Sequence, residues 1–187
     1  MSTDYRQRGI SLIELIMFIV IVSVGIAGIL SVMNVTTKAS ADPLIRKQAL
    51  AIAESLLEEI ELQPFTYCAP DDANALTAAS AAGCAVPAAS EDALPATARV
   101  SNVAQRNAAN VADYNNFSMT PIRDISGTQI AGLEAYSASV AIKQVGDTLV
   151  PAVAKNDALQ IDVRVVSGDT DITVTGYRFR YAPNAVP

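Results

Sequence analysis

The sequence predicts an α+β fold, in which a long N-terminal helix packs on a C-terminal antiparallel sheet. Three observations indicate it. Residues 10–33 are apolar, small or hydroxylated except for Glu14. In residues 44–62, apolar side chains recur every three or four positions, which is the period of an amphipathic helix. The C-terminal third contains segments that alternate with the period of a β-strand. A chain of 187 residues suffices for one modest domain and a long helix.

The first apolar run is long enough to cross a membrane as one helix, because about 20 apolar residues suffice. Arg6 and Arg8 precede it with only Asp4 opposing them, so the positive-inside rule predicts a cytoplasmic N-terminus and an external remainder. A carboxylate within such a run is disfavoured, so Glu14 should have a specific role. A secretory signal has a shorter apolar core with its cleavage site behind it. A simple anchor does not explain Gly9 followed so closely by Glu14.

The order of residues at the N-terminus resembles the class III signal of type IV pilins and pseudopilins. A glycine, an apolar residue and Ser-Leu-Ile-Glu-Leu lead into the long apolar run. The resemblance implies that residues 1–9 are a leader, that prepilin peptidase cuts between Gly9 and Ile10, and that Ile10 becomes the N-methylated terminus. It also implies that Glu14 neutralises the amino terminus of a neighbouring subunit during assembly, which would offset the desolvation of both charges.

The helix is expected to have a membrane and filament-core half, residues 10–38, and a periplasmic amphipathic half, residues 39–63. One apolar stripe in the second half is predicted to pack on the sheet: Ile45, Ala49, Ile52, Leu56 and Ile60. Asp42 as N-cap and Pro43 at the first helical position would start a second helix. Alternatively, Pro43 kinks one continuous helix, which the family resemblance favours.

Residues 64–110 are predicted to be an alanine-rich loop region held by a disulfide. Cys68 and Cys84 fall on the outer side of the predicted membrane, where disulfides persist, and an even count there indicates one bridge. A zinc site needs more ligands than two thiols, and the chain contains no histidine. We therefore interpret both cysteines as structural.

Calcium is the one metal that the residues of this loop region suggest. Asp71, Asp72 and Asn74 offer oxygen ligands, but their spacing fits no defined calcium loop, and such side chains also suit turns. The sequence leaves calcium open at these residues. It otherwise predicts no metal and no cofactor.

Residues 111–187 are predicted to form the antiparallel sheet domain. Two segments alternate with strand period, and their apolar positions are Tyr136, Ala138, Val140 and Ile142, then Leu159, Ile161, Val163 and Val165. A turn at residues 167–171 and a strand at residues 172–181 should complete a hairpin. Gly176 is a candidate β-bulge within that strand.

No catalytic constellation is present. The lack of histidine excludes Ser-His-Asp and Cys-His arrangements, and no phosphate-binding or dinucleotide fingerprint occurs. A formal charge of −6 argues against a basic, phosphate-seeking surface, so no nucleic-acid partner is expected. The sequence predicts a protein that is not an enzyme.

Within the pilin superfamily, residues 40–54, 64–68, 70–74 and 111–115 resemble the MshD-type minor pilins of mannose-sensitive haemagglutinin pili. Both cysteines directly follow the long helix, whereas major pilins usually staple a loop near the C-terminus. The resemblance implies a minor pilin that crosses the inner membrane once and then enters, or primes, a surface pilus. Its implied partners are other pilin subunits, prepilin peptidase/N-methyltransferase and the inner-membrane assembly platform.

Two other functions remain open at this stage. A pseudopilin of a type II secretion machine shares the same signal and long helix. A receptor-binding or DNA-uptake module at a filament tip would display either the alanine-rich loop or the polar, aromatic turn at residues 113–117. No binding chemistry in the sequence supports this last hypothesis.

Overall fold

The structure is a computed structural model that describes residues 11–100, 106, 109–181 and 183–184, without the side chains of residues 34–42. The chain divides into two compact units, Met1–Leu44 and Ile45–Pro187. The longest element, helix α1, comprises Leu12–Glu61 and includes Pro43. The structure therefore has one helix here, as the family resemblance favours, and not a second helix beginning at Asp42.

The second unit contains a four-stranded antiparallel sheet. Its strands are β1 (Ser118–Met119), β2 (Ser137–Gln144), β3 (Ala158–Ser167) and β4 (Thr170–Phe179). They lie in the order β1-β2-β3-β4, and every neighbouring pair is antiparallel. A long N-terminal helix followed by this sheet confirms the predicted α+β fold.

The core of this unit lies between the second half of α1 and one face of the sheet. The buried helix residues are Ala49, Ala53, Leu56 and Ile60, with Ile45 and Ile52 partly buried beside them. All eight apolar positions predicted from the strand alternation are also buried; seven lie in β2 and β3, and Tyr136 directly precedes β2. Ala53 was not part of the predicted stripe. Its small side chain lies on the same buried face, so the contact surface is wider than the sequence pattern suggests.

The hairpin between β3 and β4 has a two-residue turn, because Ser167 pairs with Thr170. Gly168 in that turn has a φ of +55°, which glycine adopts at little cost. The predicted bulge at Gly176 is wrong, since the ladder continues regularly through the pair Ile161 and Gly176.

Gly176 lies instead where α1 approaches β4. A Cβ atom at this position would contact Glu61 Oε1 and would lie 2.9 Å from Leu57 Cδ1. The missing side chain therefore lets the last turns of the helix pack closely on the strand.

Candidate functional site

Ser11 is the first residue of the N-terminal signal that the structure describes. Its Oγ accepts a hydrogen bond of 3.3 Å from the backbone N–H of Glu14, which lies in the first turn of α1. Serine followed three residues later by glutamate is the capping-box pattern of a helix start. The positive end of the helix dipole favours a carboxylate in this turn. The sequence thus places Glu14 where α1 tolerates it best.

Gly9 and Ile10 lie outside the described residues. Cleavage between them and N-methylation of Ile10 therefore remain predictions. The Glu14 side chain is exposed, and no ion pair to it occurs among residues whose side chains the structure describes. Its assembly role remains a prediction as well.

The segment Leu12–Met33 is long and apolar enough to cross a membrane, with 22 residues, a mean hydropathy of 2.8 and no buried residue. Ser23 is the second polar residue within it, and its Oγ donates to the carbonyl oxygen of Ile19 at 2.7 Å. This bond satisfies the hydroxyl within the helix itself. The helix is compatible with a single-pass membrane anchor.

The predicted disulfide is present between Cys68 and Cys84, with an S–S distance of 2.04 Å. Cys68 is fully buried with Ala75 and Ala78, in a small cluster separate from the main core. On the chain-entropy model, a loop of this size is stabilised by ~3 kcal/mol. The bridge therefore fixes a region whose own apolar contacts are few.

Asp72 fixes the same loop from the inside. Its Oδ1 accepts from the backbone N–H groups of Asn74 at 2.8 Å and Ala85 at 3.0 Å, and its Oδ2 accepts from that of Val86 at 3.0 Å. These hydrogen bonds, led by the one from Ala85, lower the pKa of Asp72. The structure therefore explains this carboxylate, on which the calcium hypothesis depended, as an anchor for the loop backbone.

The turn at residues 113–117 belongs to the core. It overlaps a 3-10 helix, Val111–Tyr114, whose four residues are all buried. Asn110 caps this helix, and the Asp113 carboxylate accepts from the Asn110 backbone N–H at 2.8 Å. The ring of Phe117 is also buried and meets that of Tyr114 edge to face. The two aromatic rings of this turn are therefore not displayed, and Asn116 is its exposed residue.

Sequence reasoning missed a partly buried carboxylate on α1. The Glu59 carboxylate accepts from Arg106 Nε at 2.8 Å and from Tyr114 Oη at 2.8 Å, and it also pairs with Arg106 Nη2. Arg106 Nη1 donates to the Asp124 carbonyl oxygen at 2.7 Å. Burial and the Glu59 charge raise the pKa of Tyr114, which keeps its hydroxyl a donor. These partners lie 47 and 55 residues from Glu59, so no local sequence pattern could reveal them.

Arg180 forms a second buried cluster beyond the end of β4. Its guanidinium lies 4.3 Å from the ring centre of Phe65 and 4.7 Å from that of Tyr67. Asp157 and Asp92 lie 3.5 and 3.7 Å from its Nη1. Stacking on two aromatic faces together with two carboxylates holds a cation in an almost fully buried position.

Residues 4–30 match the family model of the prokaryotic N-terminal methylation motif, and this range includes Gly9, Ile10 and Glu14. No curated protein and no solved structure matches the chain. Type IV pilin-like proteins are structural proteins and not enzymes. The motif, the apolar span and the disulfide together support a type IV pilin-like or pseudopilin protein that prepilin peptidase processes.

Proposed function

We propose that this chain is a minor type IV pilin of the MshD type, which is incorporated into a surface pilus or primes its assembly. The observation that carries the proposal is the methylation motif leading directly into the exposed apolar span, Leu12–Met33. Prepilin peptidase would remove residues 1–9, and the new amino terminus, Ile10, would be methylated. Residues 10–38 would then serve first as membrane anchor and later as part of the filament core.

The span defines the kind of partner that the protein needs. Apolar surface transferred from lipid into water costs roughly 25 cal/mol per Å². A chain that leaves the bilayer must therefore cover this surface with other apolar helices. Other pilin subunits are the natural partners, and the inner-membrane assembly platform is where the exchange would take place.

Glu14 is the residue that we propose for the assembly step. No ion pair within the described side chains compensates its charge. Once water is excluded, a cation beside this carboxylate would offset the cost of burying its charge. The methylated amino group of Ile10 on a neighbouring subunit supplies that charge in our proposal.

The segments after residue 38 would all lie outside the inner membrane. Residues 39–63 would form the periplasmic half of the helix, residues 64–110 the stapled loop region and residues 111–187 the sheet domain. The N-terminus would stay cytoplasmic while the domain folds on the oxidising side, where the Cys68–Cys84 bridge can form.

The test is peptide mass spectrometry on filaments sheared from native cells. An N-methylated peptide that begins at Ile10 is expected in the filament fraction. The same peptide found only in membranes would favour a type II secretion pseudopilin. A chain that still begins at Met1 in both fractions would contradict processing and the proposal with it.

A matched pair of variants tests the assembly role. Glu14→Ala should remain processed but should be lost from the filament fraction. Glu58→Ala removes an exposed carboxylate from the other half of the same helix and should incorporate normally. Normal incorporation of Glu14→Ala would count against the assigned role.

A further inference from the structure

Glu91 is a buried carboxylate that the assembly function does not use. Only 2% of the residue is exposed, and its backbone N–H donates to the Tyr67 carbonyl oxygen at 2.8 Å. Its Oε1 accepts from Arg99 Nη1 at 2.7 Å. Its Oε2 is buried and has no hydrogen-bond partner among the described residues. A buried, unsatisfied carboxylate oxygen is costly when the group is ionised.

A second carboxylate shares the same cation. Asp113 Oδ1 lies 3.1 Å from the Arg99 nitrogen that binds Glu91. The other cation facing Glu91 is Arg180, whose Nη2 donates to the Glu91 carbonyl oxygen at 3.3 Å. Arg180 is already paired with two other carboxylates, those of Asp92 and Asp157. Negative charge therefore exceeds positive charge around Glu91.

The side chains of Glu91, Arg99 and Asp113 join different parts of the domain. Glu91 follows the disulfide loop, and Asp113 lies in the buried 3-10 helix. Arg99 lies between them in sequence, and its backbone N–H donates to the Asp113 carbonyl oxygen at 3.0 Å. Any change in the charge of Glu91 therefore acts on the junction between the loop region and the core.

We propose that Glu91, Arg99 and Asp113 form a proton-controlled clamp. A proton on Glu91 removes its repulsion from Asp113 and leaves Arg99 to that single carboxylate. The clamp then holds the loop region on the sheet domain. Ionisation of Glu91 restores the excess negative charge and loosens the junction.

The direction of the pH dependence follows from the environment of Glu91. Burial, and then the Asp113 charge, raise the pKa of Glu91 to about 7, whereas Arg99 and Arg180 lower it less. When the junction opens and the side chain meets water, its pKa returns to the ordinary value of 4.5. The closed state binds the proton more tightly, so closure is fully stabilised below the ordinary value. This stabilisation is lost as the pH rises through the closed-state pKa.

Hydrogen exchange of the full chain in detergent micelles tests the clamp. Rates for peptides within residues 85–100 are measured from about pH 5 to 8 and corrected for intrinsic exchange. The local opening constant should rise roughly tenfold or more between about pH 5 and 7 and then level off. Peptides from β3 should show no comparable change. A wild-type response that is flat over this range would overturn the proposal.

Two variants and a control identify the titrating group. Glu91→Gln should abolish the pH dependence, because the amide stays neutral. Asp113→Asn should move the transition to lower pH, since it removes the charge that raises the pKa of Glu91. Glu58→Gln alters an exposed carboxylate and should behave like the wild type. If Glu91→Gln keeps the pH response of the wild type, the proposed clamp is wrong. If that variant does not fold, an unmoved transition in Asp113→Asn does the same.

Discussion

The two parts of helix α1 find their packing partners in different places. Along Leu12–Met33 no residue is buried, whereas residues 45–61 place one face in the core of their own domain. Their carboxylates differ in the same way. Glu59 is held by Arg106 and Tyr114, and Glu14 has no ion pair among the described side chains. One helix thus combines a segment that packs within its own domain with an apolar segment that has no buried residue in the described chain.

The largest expected difference in the free energy of unfolding is between variants of Glu59 and Glu14. Glu59→Ala leaves Arg106 buried without its charge partner and should lower the free energy of unfolding of the domain by about 3–5 kcal/mol. Glu14→Ala should change it by less than about 0.5 kcal/mol. Urea denaturation of the full chain in micelles, followed by the near-ultraviolet circular dichroism of its tyrosines, measures both. A loss below about 1 kcal/mol for Glu59→Ala would show that the buried pair contributes little.

The next comparison makes the same change, isoleucine to alanine, in each part of the helix. Ile60→Ala removes a fully buried side chain and should cost about 2–5 kcal/mol, because a cavity remains. Ile26→Ala removes an exposed side chain in the span and should leave the domain unchanged. The same denaturation experiment compares them. Equal losses would mean that the span contributes to the stability of the domain.

The smallest expected effect concerns two glycines. Gly176→Ala should cost about 1 kcal/mol, because its Cβ meets the mobile ends of Leu57 and Glu61. Gly25→Ala should be neutral for the domain, since a Cβ there meets nothing within 4 Å. Thermal denaturation of both variants measures the difference. A Gly176→Ala variant as stable as the wild type would show that the Leu57 and Glu61 side chains move aside at no cost.

Periodic patterns predicted the fold well and the polar interior poorly. The alternation in β2 and β3 identified their buried valine, leucine and isoleucine positions, because side chains on one face of a strand recur every second residue. It did not identify Ala158 and Ser167, which are also buried. Tyr114 and Phe117, by contrast, lie in a stretch of aspartate and asparagine that has the composition of an exposed turn. The stretch is indeed a turn, but Asn110 and Asp113 cap each other, and distant side chains satisfy the remaining groups.

The same limit applies to the candidate site. The N-terminal signal is contiguous, so its residues could be recognised from sequence alone, and residues 4–30 match the methylation motif. The charged surroundings of Glu91 include Asp113 and Arg180, which lie 22 and 89 residues further along the chain. The sequence predicts a bulge at Gly176 because strand glycines often mark one. In the structure, Gly176 makes room for the side chains of α1. The sequence of the strand does not indicate that a helix packs there.

The order of elements along the chain affects how the protein folds during synthesis. The helix stripe is made first, and its covering strands follow much later. Tyr136 donates to Gln48 across 88 residues, and Arg178 donates to the Gln63 carbonyl oxygen across 115. At roughly 5–20 residues per second, the interval before β4 is complete is on the order of ten seconds. The local β3–β4 hairpin can form soon after its own synthesis, whereas the helix stripe must wait for strands that are made much later. We therefore expect the nascent stripe to need shielding by a chaperone or the membrane surface.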